Sequence, residues 1–242
     1  MEGKEQDVVK KGKKEKKKNI TVKANKKGRH ILPFMNFLRV IAIPIYYLLK
    51  PFKFYGNRKV KDGACIYTCN HFQLFDPFYI ACTTWEVVHF VGKSEILGYP
   101  VVGWLAKNIK LISVNRDGND ITAVKDCLKC LKNGEKIAIY PEGTRNKTDA
   151  PLLPFKHGAA MLAIKTKTPI MPMYMYTRPK LFRCTHILMG EPMELSEYYD
   201  KKLDKDELAE ADQKIYDAML ALREEHEKFL AEKKNKNKNK RV

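Results

Sequence analysis

A histidine followed five residues later by an aspartate is the first pattern in the chain that could do chemistry, in Asn70-His71-Phe72-Gln73-Leu74-Phe75-Asp76. An imidazole titrating at about pH 6.5 can take a proton from a hydroxyl. A carboxylate on its other nitrogen would hold one tautomer and stabilise the imidazolium that forms. Asp76-Pro77 is equally an ordinary helix start, aspartate as N-cap and proline in the first turn, which needs no chemistry.

Three further segments carry polar groups after β-like runs. In Tyr140-Pro141-Glu142-Gly143-Thr144-Arg145, Glu142 could accept a hydrogen bond from a hydroxyl, and Arg145 offers a forked donor suited to phosphate. The plain alternative is a surface turn with a solvated ion pair. Gly92-Lys93-Ser94-Glu95 leads on to Gly103-Trp104 and Asn115-Arg116, with Lys93 a second candidate phosphate contact. Pro154-Phe155-Lys156-His157-Gly158 opens a small-residue helix that runs into a strand holding Pro172. A proline inside a strand predicts an edge or a bulge.

The elements that must position these groups follow from periodicity. Residues 64–69, 87–91, 110–114, 136–140, 170–176 and 186–189 read as strands. Residues 119–133 read as a helix: Ile121, Val124, Leu128 and Leu131 recur at three- and four-residue spacing, Asn119 or Asp120 can cap it, and Gly134 ends it. Residues 76–85 and 156–167 are further helices. Strands interleaved with helices predict an α/β fold with a largely parallel central sheet flanked by helices. After the last strand, Leu208, Ile215, Leu222 and Phe229 repeat every seven residues in a charged helix, a packing face more than a coiled coil.

Ahead of the first strand, residues 31–49 are dense in Leu, Ile, Phe and Tyr but are interrupted by Pro33, Asn36, Arg39 and Pro44. A membrane span wants about 20 apolar residues, so this segment reads as a helix lying in the membrane interface, with lysines on both flanks. An ordinary core helix is the alternative. The expected organisation is a disordered Lys-rich tail over 1–29, a membrane-interface segment over 30–55, an α/β domain over 56–200, a helix over 201–232 and a disordered basic tail over 233–242.

Taken together and in order, the four motifs resemble those of the 1-acylglycerol-3-phosphate acyltransferases, the lysophosphatidate acyltransferases of the wider glycerolipid acyltransferase superfamily. The likeness covers about residues 34–190. His71…Asp76 is similar to the family's first motif, Gly92 through Arg116 to its second, Tyr140 through Arg145 to its third, and Ile170-Met171-Pro172-Met173 to its fourth, with Met173 where Val or Ile is usual. The resemblance implies transfer of a fatty acyl group from coenzyme A or acyl carrier protein to the free hydroxyl of lysophosphatidate. The product is phosphatidic acid, formed with no covalent acyl-enzyme. It makes His71 the general base and Asp76 its orienting acid. Lys93 and Arg145 hold the acceptor phosphate and Arg116 contributes to it. Glu142, Gly143 and Thr144 shape the loop, and Pro172 lies towards the acyl donor. It implies no cofactor beyond the acyl thioester, and work at the cytoplasmic face of a membrane, as a peripheral or monotopic protein. Another acceptor, such as glycerol-3-phosphate or a different lysolipid, would use the same chemistry.

Composition excludes other readings. The chain carries 44% hydrophobic residues, too many for a disordered protein. Its net charge is +18, of which residues 1–30 hold +8 and residues 231–242 hold +5, so the intervening 31–230 is only mildly basic. A specific nucleic-acid partner is not expected, because such a domain concentrates charge on a folded face. A basic membrane- or RNA-associated protein acting through its tails is the alternative of another class, and it leaves the four motifs as coincidence. Six cysteines without a signal peptide argue for a reduced setting. Cys127 and Cys130 lack a second pair, so no metal is expected. His89, His157, His186 and His226 have no acid at a telling spacing and read as structural.

Overall fold

The β-like runs become one seven-stranded sheet. The computed structural model describes residues 20–24, 29–58, 62–115 and 120–239. In chain order the elements are α1 (Pro33–Leu49), β1 (Phe52–Gly56), β2 (Cys65–Thr68), α2 (Pro77–Ala81), β3 (Val88–Lys93), α3 (Pro100–Asn108), β4 (Ile112–Val114), α4 (Ile121–Lys132), β5 (Lys136–Ile139), α5 (Gly158–Thr166), β6 (Ile170–Met175), β7 (Thr185–Met189) and α6 (Lys205–Asn239).

The strand order is β1-β7-β6-β2-β5-β3-β4. Every neighbouring pair is parallel except β6–β7, so β7 and β1 run against the other five strands. From β2 the chain steps to β3 and β4, returns to insert β5 between β2 and β3, and then lays β6 on the other side of β2. The loops after β2 and β5 therefore share one edge at the point where the strand order reverses, which is where open α/β sheets hold their ligands.

Two apolar layers cover the sheet. Ile66, Ile137, Ile170 and Tyr174 face α4, α5 and α6. Cys65, Tyr67, Met171, Met173 and Met175 face the other way, towards α2 and the Tyr46 side of α1. Strands buried on both faces read as continuous apolar runs, which is why they were visible in the sequence. Burial of each of Ile66, Ile137 and Ile170, all 0% exposed, contributes roughly 1.5–3 kcal/mol.

Several expectations change. Pro172 is not on an edge: β6 lies inside the sheet between β7 and β2. It is tolerated because it sits where the β2 ladder ends, opposite Thr68, one residue before the β7 ladder begins at Met173. Residues 52–55, expected within the interface segment, belong instead to the strand Phe52–Gly56 on β7; its lysine and glycine obscured the alternation. α3 was not anticipated. Pro100 opens it, and Gly103 lets it lie on the preceding turn, where any Cβ would come within 2.3 Å of the Leu97 carbonyl oxygen.

The Lys-rich tails also differ from expectation where they are described. Residues 20–24 pack on the domain, with the Val22 N–H donating to Glu135 Oε1 at 3.0 Å and Ala24 bridging His30. Residues 1–19 and 25–28 lie outside the described residues. At the other end α6 runs to Asn239, past the expected boundary at 233, because a helix docked through Ala211, Ile215 and Met219 propagates readily through lysine. No described helix is long and apolar enough to cross a membrane. All six cysteines are free.

Candidate active site

His71 and Asp76 come together at the carboxyl edge of β2. His71 Nδ1 lies 2.9 Å from Asp76 Oδ2. The same oxygen accepts from the backbone N–H groups of Phe72 and Gln73, both at 2.6 Å. Asp76 stands at the N-cap position of α2, yet its side chain makes no capping bond and turns back over the preceding loop. A cap alone would not do this. Because an ionised carboxylate only accepts, Nδ1 carries the proton and Nε2 keeps its lone pair. The Asp76 side chain is 1% exposed and that of His71 19%, so the acid is sealed and the imidazole reaches the surface.

The imidazole is held by its neighbours. The Tyr140 ring, at the end of β5, stacks on it with centroids 4.1 Å apart and planes at 19°. The His71 backbone N–H donates to Glu142 Oε1 at 3.0 Å, and the His71 carbonyl accepts from the Asn146 N–H at 2.6 Å. Asn70 is fully buried and locks the end of β2 to β6, donating to the Met175 carbonyl and accepting its N–H. Tyr140, Asn146 and the clamping role of Asn70 were missed by sequence reasoning. Asn70 and Tyr140 lay inside the motifs, whereas nothing local singles out Asn146.

Glu142 holds the loop together, as the resemblance implies, and its reading as an acceptor for a hydroxyl meets a side chain turned to the backbone. Its second oxygen accepts from the Leu153 N–H at 3.0 Å, and the residue is buried, so both oxygens serve the protein backbone and not a substrate hydroxyl. Burial, the largest influence, raises its pKa above the ordinary carboxylate value, while the two backbone donors oppose that rise. Gly143 follows with φ +63°, and its N–H closes a turn onto the Tyr140 carbonyl. Thr144 and Arg145 are exposed on the same loop.

Lys93 ends β3, one strand beyond β5, and continuing the register Phe90–Ala138 sets it level with Pro141. Its ammonium makes an exposed 3.4 Å pair with Glu95. Pro172 lies within the sheet, beside Gly190. Arg116 lies outside the described residues.

The other histidines have partners that local spacing could not reveal. His157 Nδ1 meets Asp212 Oδ2 at 2.8 Å, and His186 Nδ1 meets His226 Nε2 at 2.8 Å. His89 pairs with Glu135 at the opposite, amino edge of β3 and β5. With Cys130 these two form the one cluster of three metal-type donors found among the described residues. That is one donor short of a structural zinc site, and the imidazole and carboxylate already bond each other.

Fold and site together define an α/β domain with a buried carboxylate aiming a surface histidine from the sheet's carboxyl edge. A family model described as acyltransferase matches residues 51–176, just over half of the sequence, and the chain belongs to the acyltransferase family. Over 118 residues it is 33% identical to the chloroplastic 1-acyl-sn-glycerol-3-phosphate acyltransferase BAT2 of Brassica napus, covering 48% of this chain and 34% of that protein. Over 159 residues it is 28% identical to the 1-acyl-sn-glycerol-3-phosphate acyltransferase of Bacillus subtilis, covering 57% and 78%. The chain spans about a third to two-fifths of the length of several plant relatives. The crystal structure of the 1-acyl-sn-glycerophosphate acyltransferase PlsC from Thermotoga maritima superposes with a TM-score of 0.61 at 21% identity, covering 81% of this chain and 80% of that one. The fold is therefore shared.

Proposed function

We propose that this protein transfers a fatty acyl group from an acyl thioester, on coenzyme A or acyl carrier protein, to the free hydroxyl of 1-acylglycerol-3-phosphate, giving phosphatidic acid. The observation that carries the reading is the His71–Asp76 pair, with its acid buried, its imidazole part-exposed and Nε2 without a partner among the described residues. Nε2 takes the hydroxyl proton as that oxygen attacks the thioester carbonyl. The tetrahedral intermediate collapses with loss of the thiolate, and the imidazolium returns the proton to the leaving sulfur. The ester forms, the thioester breaks, and no acyl-enzyme, metal or redox cofactor is needed. Lys93 and Arg145, on the same sheet edge, meet the acceptor phosphate.

The acceptor is a membrane lipid, and the apolar surface beside the site suits a lipid interface. α1 docks one face through Met35, through Arg39 (its Nη2 on the Glu86 carbonyl) and through Tyr46 against Phe78 and Tyr79. Its other face exposes Val40, Ile45 and Leu48, the last at 74%. Leu181 and Phe182 continue the patch, with the Phe182 N–H on the Leu49 carbonyl. Trp104 of α3 joins it edge-on to Phe34. Exposed apolar area on this scale marks an interaction surface. It reaches the site, because Lys50 after α1 donates to Gln73, two residues from His71. In this reading the protein lies on the cytoplasmic face of a bilayer, α1 in the headgroup boundary.

The test is product mass spectrometry after incubation in phospholipid vesicles with an acyl thioester and lysophosphatidate, wild type beside His71→Ala. Phosphatidic acid from wild type alone supports the reaction and the base together. Product from both proteins removes His71 as the base, and product from neither removes this acceptor.

A further inference from the structure

Lys156 belongs to a segment set apart in the sequence and given no role there. Its backbone N–H donates to the Pro141 carbonyl at 2.9 Å, which ties the start of α5 to the loop after β5. Its side chain then lies across Gly143. A Cβ built on that glycine would stand 2.7 Å from Lys156 Cδ, 2.9 Å from Cε and 3.2 Å from Nζ. The φ of +63° calls for glycine at 143, and the lysine stem lies in the space that a side chain there would take. The packing delivers an ammonium group to the loop that carries Thr144 and Arg145, with the backbone of His71 one hydrogen bond away through Glu142.

No acid among the described residues pairs with this ammonium. Glu142, the acid next in the chain, has both oxygens committed to the backbone N–H groups of His71 and Leu153. Neither Lys156 nor Arg145 forms an ion pair among the described residues. Arg145 on this loop and Lys156 packed across it place two cations side by side, and a phosphate monoester beside a reacting hydroxyl would supply two negative charges there.

We propose that Lys156 is a phosphate-binding residue of this site, holding the phosphomonoester of the acceptor together with Arg145. This rests on the acyltransferase reading above, and it adds a cation that neither the motif nor its spacing assigns. The ammonium acts on acceptor binding, not on the proton transfer at His71. Coenzyme A also carries a phosphomonoester, so the experiment separates the two sources.

In the first arm, full-length protein in detergent micelles is treated with a lysine-acetylating reagent, and modification of Lys156 is read by peptide mass spectrometry. The additions are lysophosphatidate, coenzyme A or phosphate-free monoacylglycerol. Lysophosphatidate protects Lys156 and monoacylglycerol does not. Equal labelling with and without lysophosphatidate overturns the proposal, and so does protection by coenzyme A alone. This readout needs no turnover, so it stands even if the acyl transfer reading fails. In the second arm, Lys156→Gln raises KM for lysophosphatidate about tenfold, the size of one lost charge-assisted hydrogen bond, with kcat and the KM for acyl thioester little changed. Lys156→Arg restores most of the loss. An unchanged acceptor KM in Lys156→Gln, or an equal rise in both KM values, rejects the role.

Discussion

Replacing Glu142 by glutamine separates two roles for that residue, contact with substrate and support of the His71 backbone. Its oxygens each sit 3.0 Å from a backbone nitrogen, of His71 and of Leu153, and the residue is only 2% exposed. Glutamine has the same shape but a single acceptor oxygen. Its amide NH2 must therefore face one of the two N–H donors, which breaks one hydrogen bond and strands a buried donor. A bond to a charged acceptor contributes about 1.5–3 kcal/mol and a stranded buried donor costs about 1–3 kcal/mol, two figures that partly count the same loss. Burial also penalises the carboxylate, as its raised pKa records, so the neutral side chain recovers some of that cost. The net expectation is a destabilisation of about 2 kcal/mol, equivalent to about 4–8 °C in Tm for a domain of this size. Urea unfolding followed by far-ultraviolet circular dichroism measures it: the midpoint falls and the slope does not change. KM for lysophosphatidate, measured on the folded variant, stays near the wild-type value. A Glu142→Gln protein that keeps the wild-type midpoint and shows a raised acceptor KM refutes the support role and returns the carboxylate to the substrate.

Other perturbations test the rest of the site. Asp76→Ala, which removes the one oxygen on which His71 Nδ1–H and two backbone donors converge, lowers kcat by roughly 10³-fold or more in the vesicle assay, since the imidazole loses the acceptor that fixes its tautomer. Tyr140→Phe keeps the ring stacked on His71 and removes a hydroxyl that is buried without a partner among the described residues. Thermal unfolding should show Tm unchanged or raised, with activity retained, whereas Tyr140→Ala loses both. The pKa values of His186 and His226 lie below the ordinary 6.5, chiefly from burial, with Lys53 and Lys233 adding to the first and His186 to the second. The unfolded chain therefore takes up protons first, so stability is full above about pH 6.5 and falls as the pH drops through that value. Tm measured across pH 7.5 to 5 should show this slope, and His226→Phe should flatten it.

Much of the fold was legible because both faces of its strands are buried: β2, β5 and β6 read as apolar runs, and α4 showed a clean three-four period. β1 was not legible, since its pairing with β7 depends on residues more than a hundred positions away. Pro172 misled for a related reason. Sequence shows that a proline cannot donate, but not that two ladders meet at its position, where no donor is needed. His71 and Asp76 could be read together because five residues and one tight loop bring them into contact. Glu142 could not, because its type suggested chemistry while its partners, the N–H groups of His71 and Leu153, carry no side-chain signature. The pairings of His157 with Asp212 and of His89 with Glu135 span 55 and 46 residues, beyond the reach of any local spacing rule.

The reversed direction of β7 and β1 governs the order in which the molecule can be made. Phe52 of β1 pairs with Thr185 of β7, so 133 residues must follow the first strand out of the ribosome before its partner exists. At about 5–20 residues per second that interval is roughly 7–27 s. Throughout it α1 leads into a strand that has no ladder partner. Until then α1 is held to the growing domain through Tyr46 against Phe78 and Tyr79 and not through the strand that follows it. Closure of β1 on β7 is then the step that joins α1 to the finished domain.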